Sequence, residues 1–308
     1  MGWRILDFTQ SEVSLGTQRG NLVVKSNTSD HQQLVPFADV DVVLIGLGTG
    51  LTSGVLHQLV QYDCVTLFTD WKFVPVGGVY PYVQESTHNR IAARQLAQAN
   101  ASKNTLNALW QQMVRAKIQG QFAVMNQLGF AETSNRLKQL SKNTRPGDPS
   151  NCEGQAARFY FSSIAQIDIF QDEGWRRDAS RGDWLNNNLN YGYTILRSYA
   201  IRSCLSSGLH PALGLFHRNR ENLFNLADDL MEPFRPAIDY FLLSHIEELF
   251  GTDVRKELVA IAKSKFLSSG LTIPAVLNDL AQDIGMHLEH SKETVRIPSF
   301  EPREVVST

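Results

Sequence analysis

The feature that most restricts the fold of this chain is a change of hydrophobic period near residue 88. Upstream lie short runs rich in β-branched and aromatic residues: WRILDF (3–8), NLVVKS (21–26), VDVVLI (40–45), CVTLF (64–68) and KFVPVGGVYPYV (72–83). Gly, Asn, Ser and Asp punctuate them at SNTSD and LGTG, the pattern of strands separated by turns. One helix is predicted among them, from about Thr52 to Gln61, with Thr52 or Ser53 placed to cap it. From His88 onward apolar residues recur at spacings of three and four, as in Leu106, Leu109, Trp110, Met113, Ile118 and Phe122. The same spacing recurs at Ile195, Leu196 and Tyr199, and at Ile238, Phe241, Leu242, Ile246 and Phe250, so helices are predicted nearly to the end. Polar loops are expected at 142–151 and 171–184, and an extended or loosely ordered tail from Glu289. The expectation is an α+β protein. A small β domain, sandwich-like with one helix, spans residues 1–84, and a larger all-helical domain spans residues 85–308.

Composition excludes several classes. Hydrophobic residues make up 43 % and charged residues 19 %, too apolar and too sparsely charged for a disordered chain. No apolar stretch reaches the ~18 residues of a membrane span, and MGWRILDF lacks the basic and apolar regions of a secretion signal. Cys64, Cys152 and Cys204 are far apart, fitting a reducing cytoplasm rather than a disulfide framework or a CxxC zinc site.

The net charge of −2 conceals a partition. Residues 89–149 carry 9 Lys and Arg against 2 Asp and Glu, a net of +7, whereas residues 1–88 and 223–308 carry −4 and −6. Polyanions respond to local potential, so the basic stretch is either a phosphate-contacting surface or a solvated helix face.

Two constellations offer chemistry. In VDVVLIGLGTGLTSGVLHQLV a strand, a glycine turn and a helix mimic a nucleotide-binding unit, with Asp70 following the next strand. Glycines at 46, 48 and 50 do not give GxGxxG, and a doubly wound sheet needs strand–helix alternation that the chain does not supply after residue 88. A packing turn is the better reading.

The second constellation lies in residues 211–241, where His217 precedes Asp228, Asp229, Glu232 and Arg235. At helical spacing the acids share a face, among Leu226, Leu230, Met231 and Phe234. Repelling acids beside a core need a cation, either Arg235 as an ion pair or a divalent metal. Pro233 and Pro236 withhold backbone donors and predict a kinked or starting helix there. Glu153 opens a second apolar helix, as a first-turn acid favoured by the helix dipole or as a third ligand. Two carboxylates and one imidazole suit Mg²⁺ or Mn²⁺.

NCEGQAARFYF around Glu153, LNYGYTILR at 189–197, LGLFHRN at 213–219 and FNLADDLMEPFRP at 224–236 together resemble the CRISPR-associated adaptation integrase/endonuclease family, in the compact form of type II systems. The motifs are ordered over roughly residues 89–250; the β half agrees in layout. The resemblance implies a metal site at Glu153, His217 and Glu232, supported by Asp229. It implies a cytoplasmic homodimer, with residues 1–84 serving dimerisation and a small dimeric partner protein. Residues 85–308 would carry catalysis and DNA binding. The substrates are a spacer-precursor duplex and the CRISPR leader-repeat, joined by transesterification with Mg²⁺ or Mn²⁺. Asp228, Arg235 and Tyr191 are supporting candidates, and Arg90, Arg94, Arg115, Lys117, Lys138 and Lys142 are candidates for phosphate contact. Competing expectations are a catalytically silent DNA-binding scaffold, its acids paired with Arg235 and Arg218, and a nucleotide-cofactor enzyme using the Gly46–Gly50 turn.

Overall fold

The computed structural model describes residues 5–29, 31–71, 75–79, 91–171, 174–266 and 270–302. Internal contacts divide the chain into two compact units, Met1–Asn89 and Arg90–Thr308.

The first unit contains two four-stranded sheets. One has the order β1 (Ile5–Phe8), β5 (Val42–Ile45), β7 (Val65–Thr69), β8 (Pro75–Val79); the other runs β4 (Gln32–Pro36), β3 (Asn21–Ser26), β2 (Val13–Gln18), β6 (Gly50–Leu51). Phe8, Leu15, Leu22, Val35, Val43 and Ile45 bring both sheets to one core, closed by Val55 and Leu59 of helix α1 (Ser53–Gln61). The sheets differ from a simple antiparallel sandwich. β1, β5 and β7 are mutually parallel, and α1 is the crossover between β5 and β7. All four residues of β5 are buried, as a strand covered on both faces requires.

The nucleotide-enzyme reading fails on two grounds. Among the described residues beyond 90 there is no named strand, only an isolated bridge from Lys265 to Thr272. The glycine turn is also already filled. A Cβ on Gly46 would lie 2.2 Å from the Thr9 carbonyl oxygen, and the Thr49 hydroxyl donates to the Phe8 carbonyl at 3.2 Å. Gly46 therefore serves close backbone packing rather than approach by a phosphate.

The second unit is built on α3 (Lys103–Gln127), capped by the Ser102 hydroxyl accepting from the Thr105 amide. Its buried stripe includes Leu109, Trp110, Met113, Val114, Ile118, Val124 and Met125. Full burial of each large side chain contributes ~1.5–3 kcal/mol. Around α3 stand α2 (Ile91–Ala99), α4 (Ala131–Asn143), α5 (Cys152–Ile164), short α6 (Asp168–Gln171) and α7 (Trp184–Ser206). They are followed by α8 (Asn225–Met231), α9 (Arg235–Ser244), α10 (Ile246–Leu249), α11 (Arg255–Ile261) and α12 (Ile273–Leu288). Among the described residues no helix is long and apolar enough to cross a membrane.

The loop before α7 has a structural role that its sequence did not disclose. Asp183 caps the helix by accepting from the Asn186 amide, and Arg177 donates to the Asn186 and Asn190 side chains. In the described part of the tail, through residue 302, Val295 is buried and Phe300 packs on Tyr240 and Phe266.

Candidate metal centre

Glu153 is positioned by an unusual entry into α5. Asp148 and Asn151 both adopt positive φ, 45° and 49°. The Asp148 carboxylate accepts the backbone amides of Cys152 and Glu153 at 2.8 and 2.9 Å, and Asn151 Oδ1 accepts that of Gly154. These caps satisfy amides that a helix start leaves unpaired, and they hold Glu153 in the first turn.

Glu232 stands at a break between helices. α8 ends at Met231, a single 3₁₀ turn covers Glu232–Phe234, and α9 begins at Arg235. Pro233 lies within the 3₁₀ turn and Pro236 in the first turn of α9, where a missing amide donor is tolerated. His217 lies in the preceding loop, tied down by Asn225, whose amide nitrogen reaches the carbonyl oxygens of Ala212, Asn219 and Asn222. Gly214 is required by close approach: a Cβ there would lie 2.4 Å from the His217 carbonyl oxygen and 2.9 Å from Asp229 Oδ2.

The two acids meet on one nitrogen. Lys117 Nζ is 2.6 Å from Glu153 Oε1 and 2.5 Å from Glu232 Oε2, while Arg235 donates to Glu232 Oε1 at 2.7 Å. Glu232 Oε2 is buried and accepts no aligned hydrogen bond, its contact with the ammonium being an ion pair. Burial works against the Glu232 charge, but Arg235 and Lys117 outweigh it and hold the carboxyl below the usual range. Lys117 shows the converse: burial opposes its charge, yet Glu232 and Glu153 raise its pKa.

His217 Nδ1 is 2.5 Å from Asp229 Oδ1, and Asp229 Oδ2 accepts the Phe216 amide at 3.0 Å. The Asp229 side chain is fully buried whereas that of His217 is 43 % exposed. The hydrogen bond that the ring donates to Asp229 raises the imidazole pKa against the opposing effect of burial, and the Glu153 and Glu232 charges add to the rise. Engagement of Nδ1 leaves Nε2 as the ring nitrogen not held by Asp229, the carboxylate–imidazole arrangement that orients a metal ligand.

Two carboxylates, one of them with a buried oxygen lacking an aligned donor, and an oriented imidazole form a donor set that suits Mg²⁺ or Mn²⁺. Among the described residues no three His, Cys, Asp or Glu side chains are grouped closely enough to ligate one ion as they stand. A cation already joins the two acids, and it is Lys117.

Other candidates fall elsewhere. Asp228 turns away to Arg197, at 2.7 and 2.9 Å, and to Asn222. Tyr191 is buried, and Tyr193, one position beyond Gly192 on the same helix, lies beside the site with Arg235 4.0 Å above its ring. The basic candidates need correction. Lys117 is buried between acids, where no external phosphate reaches it without displacing a partner. Arg94 is spent on the Ser207 carbonyl, Gln282 and Glu289, and Arg115 donates to the Thr144 carbonyl at the end of α4. Lys138 and Lys142 are exposed; Arg90 lies outside the described residues.

Asp239, Tyr160 and Tyr193 form a layer next to Arg235 that sequence reasoning missed. The Asp239 carboxylate accepts from Tyr160 at 3.1 Å and from Tyr193 in a shorter bond. Burial pushes the Asp239 carboxyl up to about 6 despite these donors and nearby Arg235. The native state therefore binds this proton more tightly than the unfolded chain, whose value is the ordinary 3.8. Stability falls as pH rises from about 4 to about 6, by up to ~3 kcal/mol. Urea unfolding across that window should show the fall in the wild type and a flatter profile in Asp239→Asn; parallel profiles would remove Asp239 as the cause.

Comparison with known proteins adds three findings. The family model described as "CRISPR associated protein Cas1" matches residues 7–255. A protein named CRISPR-associated endonuclease Cas1, from Neisseria meningitidis serogroup C (strain 8013), is 36 % identical over 249 residues, covering 80 % of this chain and 77 % of that protein. Solved structures similar in fold include the following two. A casposase bound to integration product has a TM-score of 0.78 and 19 % identity, over 100 % of this chain and 96 % of that one. A chain of a Cas6-RT-Cas1–Cas2 complex has a TM-score of 0.76 and 20 % identity, over 99 % of this chain and 36 % of that one.

Proposed function

The chain belongs to the Cas1 family of CRISPR-associated proteins, and from that premise we infer that it is a divalent-metal-dependent DNA endonuclease and integrase of CRISPR adaptation. It joins the 3′-hydroxyl ends of short DNA fragments to the repeat of a CRISPR array. The observation that carries this reading is the meeting of Glu153 and Glu232 on one cationic nitrogen, together with an imidazole held by Asp229. Further support comes from the names of its relatives: an endonuclease, a casposase bound to integration product, and a complex containing Cas1 and Cas2. On this reading the protein is a cytoplasmic homodimer. Its β-rich unit provides dimer and partner contacts, and its helical unit provides catalysis and DNA binding.

Glu153, Glu232 and Nε2 of His217 would hold Mg²⁺ or Mn²⁺, whose chemistry is to acidify the attacking 3′-hydroxyl and stabilise charge on the phosphate. In the transfer a new bond forms between that oxygen and the phosphorus at the 5′ end of the repeat, while the bond to the 3′-oxygen of the flanking nucleotide breaks. The nucleophile gives up its proton and the leaving oxygen gains one. Asp229 fixes the imidazole, and Arg235 neutralises Glu232 from the side braced by Tyr193. Lys138 and Lys142 contact the DNA backbone. Replacing both by Ala should reduce the slope of log affinity against log salt by ~2, with little change in sequence preference. An unchanged slope in a salt titration would remove them from the interface.

The scaffold reading draws on one observation, the pairing of Glu232 with Arg235 and Lys117. The two readings separate when a short 3′-hydroxyl duplex is incubated with a supercoiled leader-repeat plasmid, Mg²⁺ or Mn²⁺, and the small partner protein. Joined product that disappears with chelator supports the integrase. DNA binding without joining or nicking supports the scaffold.

A further inference from the structure

Lys117 lies on the buried stripe of α3 with Met113, Val114, Gly120, Gln121 and Val124. Its ammonium touches Glu153 and Glu232, one from α5 and one from the α8–α9 break. Buried lysines are rare, and one is tolerated only where its charge is matched. Here the match is close: two carboxylates face Lys117 and Arg235, two charges against two. A divalent ion added to that set would leave two positive charges without partners in a buried site, a costly arrangement. Arg235 cannot easily leave, because its guanidinium lies over the Tyr193 ring and pairs with the other Glu232 oxygen. Lys117 is the movable partner, a flexible stem holding the oxygens that an entering cation would need.

We propose that Lys117 is the resident counter-ion of the Glu153–Glu232 pair and competes with the divalent cation for the same carboxylate oxygens. The inference rests on the metal-dependent reading of the site and deepens it. In the metal-free protein the ammonium holds the two acids together, and entry of the cation expels it. The expelled ammonium then needs an anion, and the incoming phosphodiester is one that the reaction itself supplies. Lys117 thus makes metal affinity depend on whether DNA is present, an ordinary consequence of linkage.

The test is Mn²⁺ binding to the full-length, DNA-free protein, read from loss of the free Mn²⁺ electron paramagnetic resonance signal, together with thermal melting. Lys117→Met should bind Mn²⁺ at least about tenfold more tightly than wild type, since a competitor has been removed. Its metal-free melting temperature should fall and its rise on adding Mn²⁺ should exceed that of wild type. Lys117→Arg, which keeps the competing charge, should stay near wild-type affinity. If Lys117→Met does not fold without metal, Lys117→Gln gives the same comparison. Wild-type binding with equal or weaker binding by the neutral variants overturns the competition while leaving the metal site intact. Absence of Mn²⁺ binding in wild type and variants alike overturns the metal reading and the competition with it.

Discussion

Glu232→Gln is expected to abolish metal-dependent joining, lowering the single-turnover rate by at least ~10³-fold, or about 4 kcal/mol of transition-state stabilisation. The substitution keeps the volume and removes the charge. Glu232 is the acid most deeply committed to the site, with one oxygen on Arg235 and the other on the Lys117 ammonium. With an amide in its place, Lys117 retains only Glu153, and Arg235 loses its carboxylate. Breaking a buried pair by removing one member costs ~3–5 kcal/mol. Some stability should therefore be lost along with activity, and urea unfolding reads the two separately. A Glu232→Gln protein that is folded and joins DNA at the wild-type rate would remove Glu232 from the chemistry.

The second large effect is expected on the imidazole side. Asp229→Asn leaves Phe216 and His217 to share one amide oxygen where the carboxylate offered two. The ring is then no longer fixed by an anion, and loss of such an orienting partner usually costs 10–100-fold in metal affinity or activity. His217→Ala removes the nitrogen donor itself and should lower the joining rate further. If Asp229→Asn leaves both metal affinity and joining rate unchanged, the Asp229–His217 bond serves only to pack the loop that Gly214 closes.

The parts of this account that were legible in the sequence are those set by local spacing. The change from strand-like to helical periods reappears in the order of elements, and Pro233 and Pro236 mark the interruption at which Glu232 stands. Glu153, His217 and Glu232 are candidates because each lies in a distinctive stretch, and of these the structure brings Glu153 and Glu232 together on Lys117. Charge counted along the chain does not show which basic residues turn inward around a helix. Lys117 is four residues past Met113 and seven before Val124, on the buried stripe of α3, a position that alone argues for an internal partner. Arg94 offered no such sign. Its partners at Ser207, Gln282 and Glu289 are more than a hundred residues away and become neighbours only after folding.

The same distinction explains the β-rich unit. The unbroken apolar run VVLI of β5 signals a strand covered on both sides, but which strands lie beside it depends on the path of α1. The layer of Asp239, Tyr160 and Tyr193 was likewise hidden, because Tyr160 and Asp239 are 79 residues apart. Within LNYGY, α7 also turns Tyr193 toward Arg235 and Asp239, a contact that the spacing of the motif does not announce.

The central claim is that Glu153, His217 and Glu232 hold one divalent ion at the place that Lys117 now occupies. Anomalous scattering at the manganese edge, from crystals grown or soaked with Mn²⁺, tests it directly. The predicted result is a single peak bounded by the two carboxylates and Nε2 of His217, with the Lys117 ammonium withdrawn from both acids. Manganese bound at other side chains, with Lys117 still bridging Glu153 and Glu232, would contradict it.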